Sequence, residues 1–237
     1  MTNVAITNKK NPTLRLAEIF GPTFQGEGKH MGRRTYFIRL SGCNLACSWC
    51  DTPYTWDWDG ANGKVYDKDR ESYTLSVVDV VNQMDEAGAD NVVITGGEPL
   101  VQATALVELL KDLTYLGISV EVETNGTRDL PPGAPTNVQW NVSPKLASSG
   151  NARGIKRKAL ATYPPSAIFK FVITAPSDID DILGLGLPPE QVWLMPEGRT
   201  PKEVTAKVAM VAELALTHEF NFSHRLHVLL WGDKRGH

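Results

Sequence analysis

Strands buried on both faces of a parallel sheet read as nearly continuous apolar runs, whereas several strand-like segments of this chain alternate. In Val120-Glu121-Val122-Glu123 the two glutamates share a face. In Val138-Gln139-Trp140-Asn141-Val142-Ser143 so do Gln139, Asn141 and Ser143, and Arg39 shares a face with Phe37. With the valines and Trp140 packed under helices, the polar side chains point the opposite way, where unpartnered charges would be costly. A polar ligand cavity inside a curved sheet or open barrel accommodates them. A face left open to solvent is the simpler alternative.

The order of segments supports a mainly parallel sheet, because runs rich in Val, Ile and aromatics alternate with helical patterns. Strands are expected at Arg15–Phe20, Tyr36–Leu40, Asn91–Thr95, Ser119–Thr124, Val138–Ser143, Ile168–Ile173, Val192–Met195 and Leu226–Trp231. One helix is capped by Ser76, runs through Ala87 and ends at Gly88; a second, Val101–Leu116, is amphipathic, with apolar Leu106, Leu109, Leu110, Leu113 and Leu116, and stops at Gly117. A third opens on Thr200-Pro201-Lys202-Glu203, with Thr200 as N-cap, Pro201 in the first turn and Glu203 completing a capping box, and runs to about His218. Two connections, about residues 51–73 and 145–165, are too long for simple turns and are candidates to cover a site. The second carries Arg153, Lys156, Arg157 and Lys158, a basic run read first as a solvated helix face. The whole, residues 1–237, is expected to be a single α/β domain, with its site at the carboxyl ends of the strands.

Lys and Arg total 24 against 27 Asp and Glu, a net charge of −3 that argues against a surface built to coat nucleic acid or an anionic membrane. No apolar run approaches the ~20 residues that span a bilayer, and residues 1–12 lack the apolar core of a signal peptide. A cytoplasmic location is therefore expected. The 3 cysteines, Cys43, Cys47 and Cys50, all fall on one loop after the strand ending at Leu40. An odd, clustered set makes a poor disulfide framework. Three thiolates on a tight loop suit three irons of a 4Fe-4S cluster, with the fourth iron open to an exogenous ligand. A structural zinc would want four ligands, and no histidine lies in the loop.

The Cys-x3-Cys-x2-Cys spacing, with Trp49 before the last cysteine, resembles the radical S-adenosylmethionine (SAM) superfamily, and Gly96-Gly97-Glu98-Pro99 resembles its SAM-binding turn. Close backbone approach to a ligand explains the glycine pair. Thr23-Phe24-Gln25-Gly26-Glu27-Gly28, the run Phe37 to Leu45, Cys50-Asp51-Thr52, Glu123-Thr124-Asn125-Gly126 and Ser143-Pro144-Lys145 are similar to one family within it, the 7-carboxy-7-deazaguanine synthases.

That resemblance implies an open, partial parallel β/α barrel of the radical SAM type and a lyase. The family converts 6-carboxy-5,6,7,8-tetrahydropterin to 7-carboxy-7-deazaguanine with loss of ammonia, through hydrogen abstraction by a 5′-deoxyadenosyl radical and ring contraction. It implies a 4Fe-4S cluster on Cys43, Cys47 and Cys50, and Mg2+ at Thr52. SAM contacts would come from Trp49, Cys50, Asp51, Gly96, Gly97, Glu98, Ser143, Pro144, Lys145, Pro196 and Glu197. The pterin substrate would meet Phe24, Gln25, Gly26, Glu27, Arg39, Thr95 and Glu123. No catalytic side chain is implied, since the radical arises at cluster and SAM. A one-electron donor such as flavodoxin or ferredoxin and a homodimer are expected, with no nucleic-acid or membrane partner. Two departures stand out. Met195-Pro196-Glu197-Gly198 replaces the Gln-Pro segment of better-known members, and the C-terminus lacks the Thr-His-Lys element with which some members end, so a different substrate lid is expected, with His227 and His237 as candidates to compensate. The alternatives are a radical SAM activase acting on a partner protein and a zinc-stabilised binding module.

Overall fold

A computed structural model describes residues 11–151 and 154–237; the N-terminal segment before them and Arg153 of the basic run lie outside the described residues. Among the described residues the strands are β1 (Thr13–Phe24), β2 (Arg34–Leu40), β3 (Tyr73–Ser76), β4 (Asn91–Gly96), β5 (Ser119–Thr124), β6 (Gln139–Val142), β7 (Ile168–Ile173), β8 (Val192–Pro196) and β9 (Asn221–Phe222). They form one sheet in the order β3-β1-β2-β4-β5-β6-β7-β8-β9. From β2 to β9 every pairing is parallel, and only β1 runs antiparallel, to β2 and to β3. The ends do not meet, so the sheet is an open, partial barrel, as the order of segments predicted.

The helices are α1 (Lys68–Glu71), α2 (Val77–Glu86), α3 (Ala103–Tyr115), α4 (Arg157–Leu160), α5 (Asp178–Leu183), α6 (Pro201–Thr217) and α7 (Leu226–Trp231). Local chemistry sets the long ones. Ser76 accepts from the Asp79 amide at the start of α2, and Thr200 with Glu203 forms the reciprocal capping box of α6. The core lies between helices and sheet: Met84, Leu106, Leu109, Leu110 and Leu113 pack on Ile38, Ile94, Val122, Trp140 and Phe171. Each such side chain contributes about 1.5–3 kcal/mol by leaving water.

This packing uses one parity of the strands, and the other faces inward. Register pairs Arg39 with Thr95, Glu123 with Asn141, and Val172 with Met195 across neighbouring strands. The alternation read in the sequence is thus the difference between the helix-covered face and the barrel interior.

Three expectations need correction. Leu226–Trp231 is the helix α7 and not a strand; a six-residue run of five apolar residues and His227 fits either period, and the sheet edge there is taken by β9. Residues 51–73 are not one loop, since they hold a 3-10 turn at Pro53–Thr55 and α1 and then enter the edge strand β3. The segment 145–165 likewise carries a 3-10 turn, Ala147–Ser149, and α4. Helix α5 had no counterpart in the sequence reading.

Candidate active site

At the carboxyl end of β2 the chain turns through Ser41-Gly42 into the cysteine loop. The turn is braced on both sides: Gly42 N–H donates to Thr55 O at 2.7 Å, and Gly42 O accepts from Glu98 N–H at 2.8 Å. Gly97 N–H in turn reaches Leu40 O at 3.0 Å. A Cβ on Gly97 would stand 2.1 Å from Gly42 O, and one on Gly96 2.1 Å from Leu40 O. The Gly-Gly pair is therefore required first by backbone meeting backbone, which seats the β4 turn against the cysteine loop. Glu98 serves the same turn. Its fully buried carboxylate accepts from Leu100 N–H at 2.9 Å, Thr124 Oγ1 at 2.7 Å and Asn125 N–H at 2.6 Å. Burial raises its pKa in spite of those bonds.

Cys43, Cys47 and Cys50 are free thiols in the wall of a cavity of about 460 Å³. Two receive side-chain donors: Asn151 Nδ2 lies 3.2 Å from Cys47 Sγ, and Trp56 Nε1 3.3 Å from Cys50 Sγ. Burial pushes Cys43 up to about 11 and raises Cys47 and Cys50 as well, so thiolates here want a metal's positive charge to offset desolvation. Among the described residues no three His, Cys, Asp or Glu side chains converge where a single metal ion would sit. A cluster that takes each sulfur on its own iron fits this donor set, and one tetrahedral zinc does not. Trp49, also in the wall, keeps a buried Nε1 donor with no partner, available to a ligand. Thr52 borders the same cavity with its hydroxyl 3.8 Å from Cys50 Sγ.

The inward-facing parity supplies the rest of the wall. Arg39 Nε donates to Glu18 Oε1 at 2.8 Å, and Tyr54 donates to the same oxygen at 2.7 Å. Thr95 Oγ1 donates to Glu123 Oε2 at 2.8 Å, and Gln25 Nε2 approaches Glu123 Oε1 at 3.4 Å. Glu27 is gripped from β7 and from the loop after β9: the Lys170 ammonium bonds its Oε2, while Arg225 Nε donates to its Oε1 at 3.1 Å. Arg225 also bonds Asp51 and the Gly198 carbonyl, tying the cysteine loop to the C-terminal region. Burial works against ionising Glu27, yet Lys170 and Arg225 hold its carboxyl far below the usual range. Deeper in the barrel, His30 Nδ1 lies 2.9 Å from Glu121 Oε1, and Asn141 donates to Glu121 Oε2 at 2.9 Å.

Of the residues singled out in the sequence, Phe24, Gln25, Gly26, Glu27, Arg39, Thr95 and Glu123 line this one cavity. So do the three cysteines, Trp49, Asp51, Thr52, Gly96, Gly97, Ser143, Lys145 and Glu197. Glu98, Pro144 and Pro196 are buried and not part of its wall. His227 and His237 both reach it, the former packed so tightly over Gly26 that a Cβ there would lie 2.0 Å from its Nδ1. Sequence reasoning missed Glu18, Tyr54, Lys170, Arg199 and Arg225. A signal existed for Lys170, the one charge in the apolar strand Ile168-Phe169-Lys170-Phe171-Val172-Ile173. Arg225, in a loop, offered none.

Comparison with known proteins agrees with this arrangement. Residues 37–136 match the radical SAM superfamily. The chain is 36% identical to a 7-carboxy-7-deazaguanine synthase of Pyrobaculum aerophilum, over 95% of this chain and 98% of that one. It is 38% identical to the synthase of Halobacterium salinarum, over 94% and 92% of the two chains. The crystal structure of QueE from Escherichia coli has the same fold, with a TM-score of 0.70 and 28% identity over 91% of this chain and 95% of the other. The cavity of free thiols and the likeness along nearly the full length thus point the same way, and the chain belongs to the 7-carboxy-7-deazaguanine synthase family of radical SAM enzymes.

Proposed function

We propose that this chain is a radical SAM lyase that converts 6-carboxy-5,6,7,8-tetrahydropterin to 7-carboxy-7-deazaguanine and ammonia. The observation that carries this reading is the sharing of one cavity wall by three free thiols and by the polar set Arg39, Glu27, Thr95 and Glu123. A volume of about 460 Å³ lies in the range of small-molecule sites. When bound on Cys43, Cys47 and Cys50, a 4Fe-4S cluster with SAM supplies, on one-electron reduction, the 5′-deoxyadenosyl radical that abstracts hydrogen from the pterin.

The residues around that chemistry bind and orient. Glu18 engages only Nε of Arg39, which leaves terminal guanidinium nitrogens for the substrate carboxylate. Glu27, kept ionised by Lys170 and Arg225, is a strong acceptor for the N–H edge of the pterin ring, and Glu123 with Gln25 and Thr95 offers a second polar edge. Trp49, Ser143 and Lys145, with the backbone of Gly96 and Gly97, form the wall on the cysteine side, where SAM is assigned. Asp51, which Arg225 holds in place, and Glu197 complete it. Mg2+ is assigned to Thr52, with substrate oxygens and water completing its shell. In this reading the chain works as one domain, as a cytoplasmic homodimer supplied with electrons by a flavodoxin or ferredoxin.

The test is anaerobic reconstitution. The loaded protein should be brown, absorb near ~400 nm as 4Fe-4S proteins do, and with reductant, SAM and Mg2+ release carboxydeazaguanine detectable by mass spectrometry. Cys47→Ala should lose both the absorbance and turnover. Arg39→Ala should raise substrate KM roughly 10–100-fold, the worth of a charge-assisted hydrogen bond, while SAM cleavage persists. A fully clustered wild type that leaves the pterin unchanged would remove the assignment.

A further inference from the structure

A second groove, of about 550 Å³, opens beside the cysteine loop. It shares only Lys145 with the first cavity. Four cations, Lys145, Lys156, Arg157 and Lys158, stand in its lining against a single carboxylate, Asp181. Lys156 and Lys158 are exposed and have no ion-pair partner among the described residues. Arg157 is held in place by the carbonyls of Gly184, at 2.6 Å, and Leu185, at 3.4 Å. Between the cations lie the apolar side chains of Ile155 and Leu185. A charged rim around a small apolar floor is the composition of a transient protein interface.

The position of the groove decides what such an interface is for. The segment leading into it is bonded along the cysteine loop: Ser48 N–H donates to Ser149 O at 3.0 Å, Asn151 Nδ2 to Cys47 Sγ at 3.2 Å, and Lys145 Nζ stands 5.5 Å from the Trp49 ring centroid. A protein seated on the groove would therefore rest against the outer side of the loop that carries the three thiols. The chain as a whole is acidic, at −3, so an acidic visitor is repelled elsewhere and drawn to this local patch.

We propose that this basic groove is the docking surface for an acidic one-electron carrier protein, with Lys156 and Lys158 as its steering charges. The inference rests on the reading of the cysteine loop as a 4Fe-4S site. In each encounter the carrier's reduced flavin or iron centre is oxidised by one electron and the enzyme's cluster is reduced by one, with no bond made or broken. A basic run of this kind also attracts nucleic acid, and the test is built to separate the two.

The experiment uses the reconstituted holoenzyme and its K156E/K158E variant, neither position being part of the catalytic cavity. Binding of an acidic flavodoxin and of an acidic ferredoxin is followed by fluorescence anisotropy at two salt concentrations. Carbodiimide coupling then maps the lysines joined to carrier carboxylates. The variant should bind roughly ten-fold or more weakly at low salt, with a flattened salt dependence, and in the wild type the cross-links should fall on Lys156 and Lys158. Turnover driven by dithionite should be the same in both proteins, whereas the carrier concentration for half-maximal rate should rise in the variant. Equal carrier affinity in the two proteins, an equal loss of dithionite-driven turnover, or a loss of tRNA binding alone would each overturn the proposal. Binding is read apart from turnover, so a chain that captures the carrier through these lysines yet makes no deazaguanine would fail the functional reading and sustain this one.

Discussion

Lys170, on β7, places its ammonium on the carboxylate of Glu27, a residue 143 positions earlier in the chain, and both side chains are almost wholly withdrawn from water. Lys170 also lies 3.8 Å from Glu123, so one cation serves two of the acids that face the cavity. Removing it strands buried negative charge. Lys170→Met should cost about 3 kcal/mol, the scale for breaking a buried pair, and urea unfolding should show a matching fall in midpoint. Glu27→Gln in the Lys170→Met background should restore part of the loss, because the two substitutions share one interaction. An unchanged midpoint in Lys170→Met would remove the pair from the stability of the fold.

The same acid sets a pH dependence. Glu27 has its pKa lowered in the fold from an ordinary 4.5, so between the folded and unfolded values the unfolded chain binds more protons. Its contribution is complete above the unfolded value and is lost as pH falls through the folded one. Thermal unfolding followed from pH 6 to pH 3 should show a falling Tm, and Glu27→Gln should flatten that slope below about pH 4.5. A slope unaltered in the variant would assign acid sensitivity to other groups.

Gly97→Ala tests the backbone contact between the β4 turn and the cysteine loop. With Gly42 O 2.1 Å from the added Cβ, and both partners backbone, the loop must move. Far-ultraviolet circular dichroism should stay close to wild type, while iron loading after reconstitution falls well below half. Full loading would show that the turn yields without disturbing the thiols.

Trp56 Nε1 donates toward Cys50 Sγ. Hydrogen bonds to cluster sulfurs raise the reduction potential by stabilising the electron-rich state. Trp56→Phe keeps the ring and deletes the donor, so the midpoint measured by redox titration under electron paramagnetic resonance should move to more negative values by some tens of millivolts. Asn151→Ala, which deletes the donor at Cys47, should act in the same direction.

Much of this protein was readable from residue order because the physics involved is local. A period of two is a property of the extended chain itself, and it placed Glu121, Glu123 and Asn141 on the interior face before any strand had a neighbour. Capping at Ser76 and Thr200 needs partners only three residues away. The three thiols sit on one loop, so their suitability for a cluster follows from spacing and from the count of donors. The helical state of Leu226–Trp231 was not readable, since so short a run, five apolar residues and His227, carries no decisive period and the outcome depends on β9 occupying the sheet edge. Nor was the grip on Glu27, because Arg225 lies 198 residues along the chain and Lys170 lies 143. Sequence alone thus determined the open α/β sheet, the polar inner face and the cysteine loop. Only the tertiary structure decided which cations neutralise the buried acids and where the C-terminal segment closes, because a charge buried from water takes its partner from whatever closure of the barrel brings within reach.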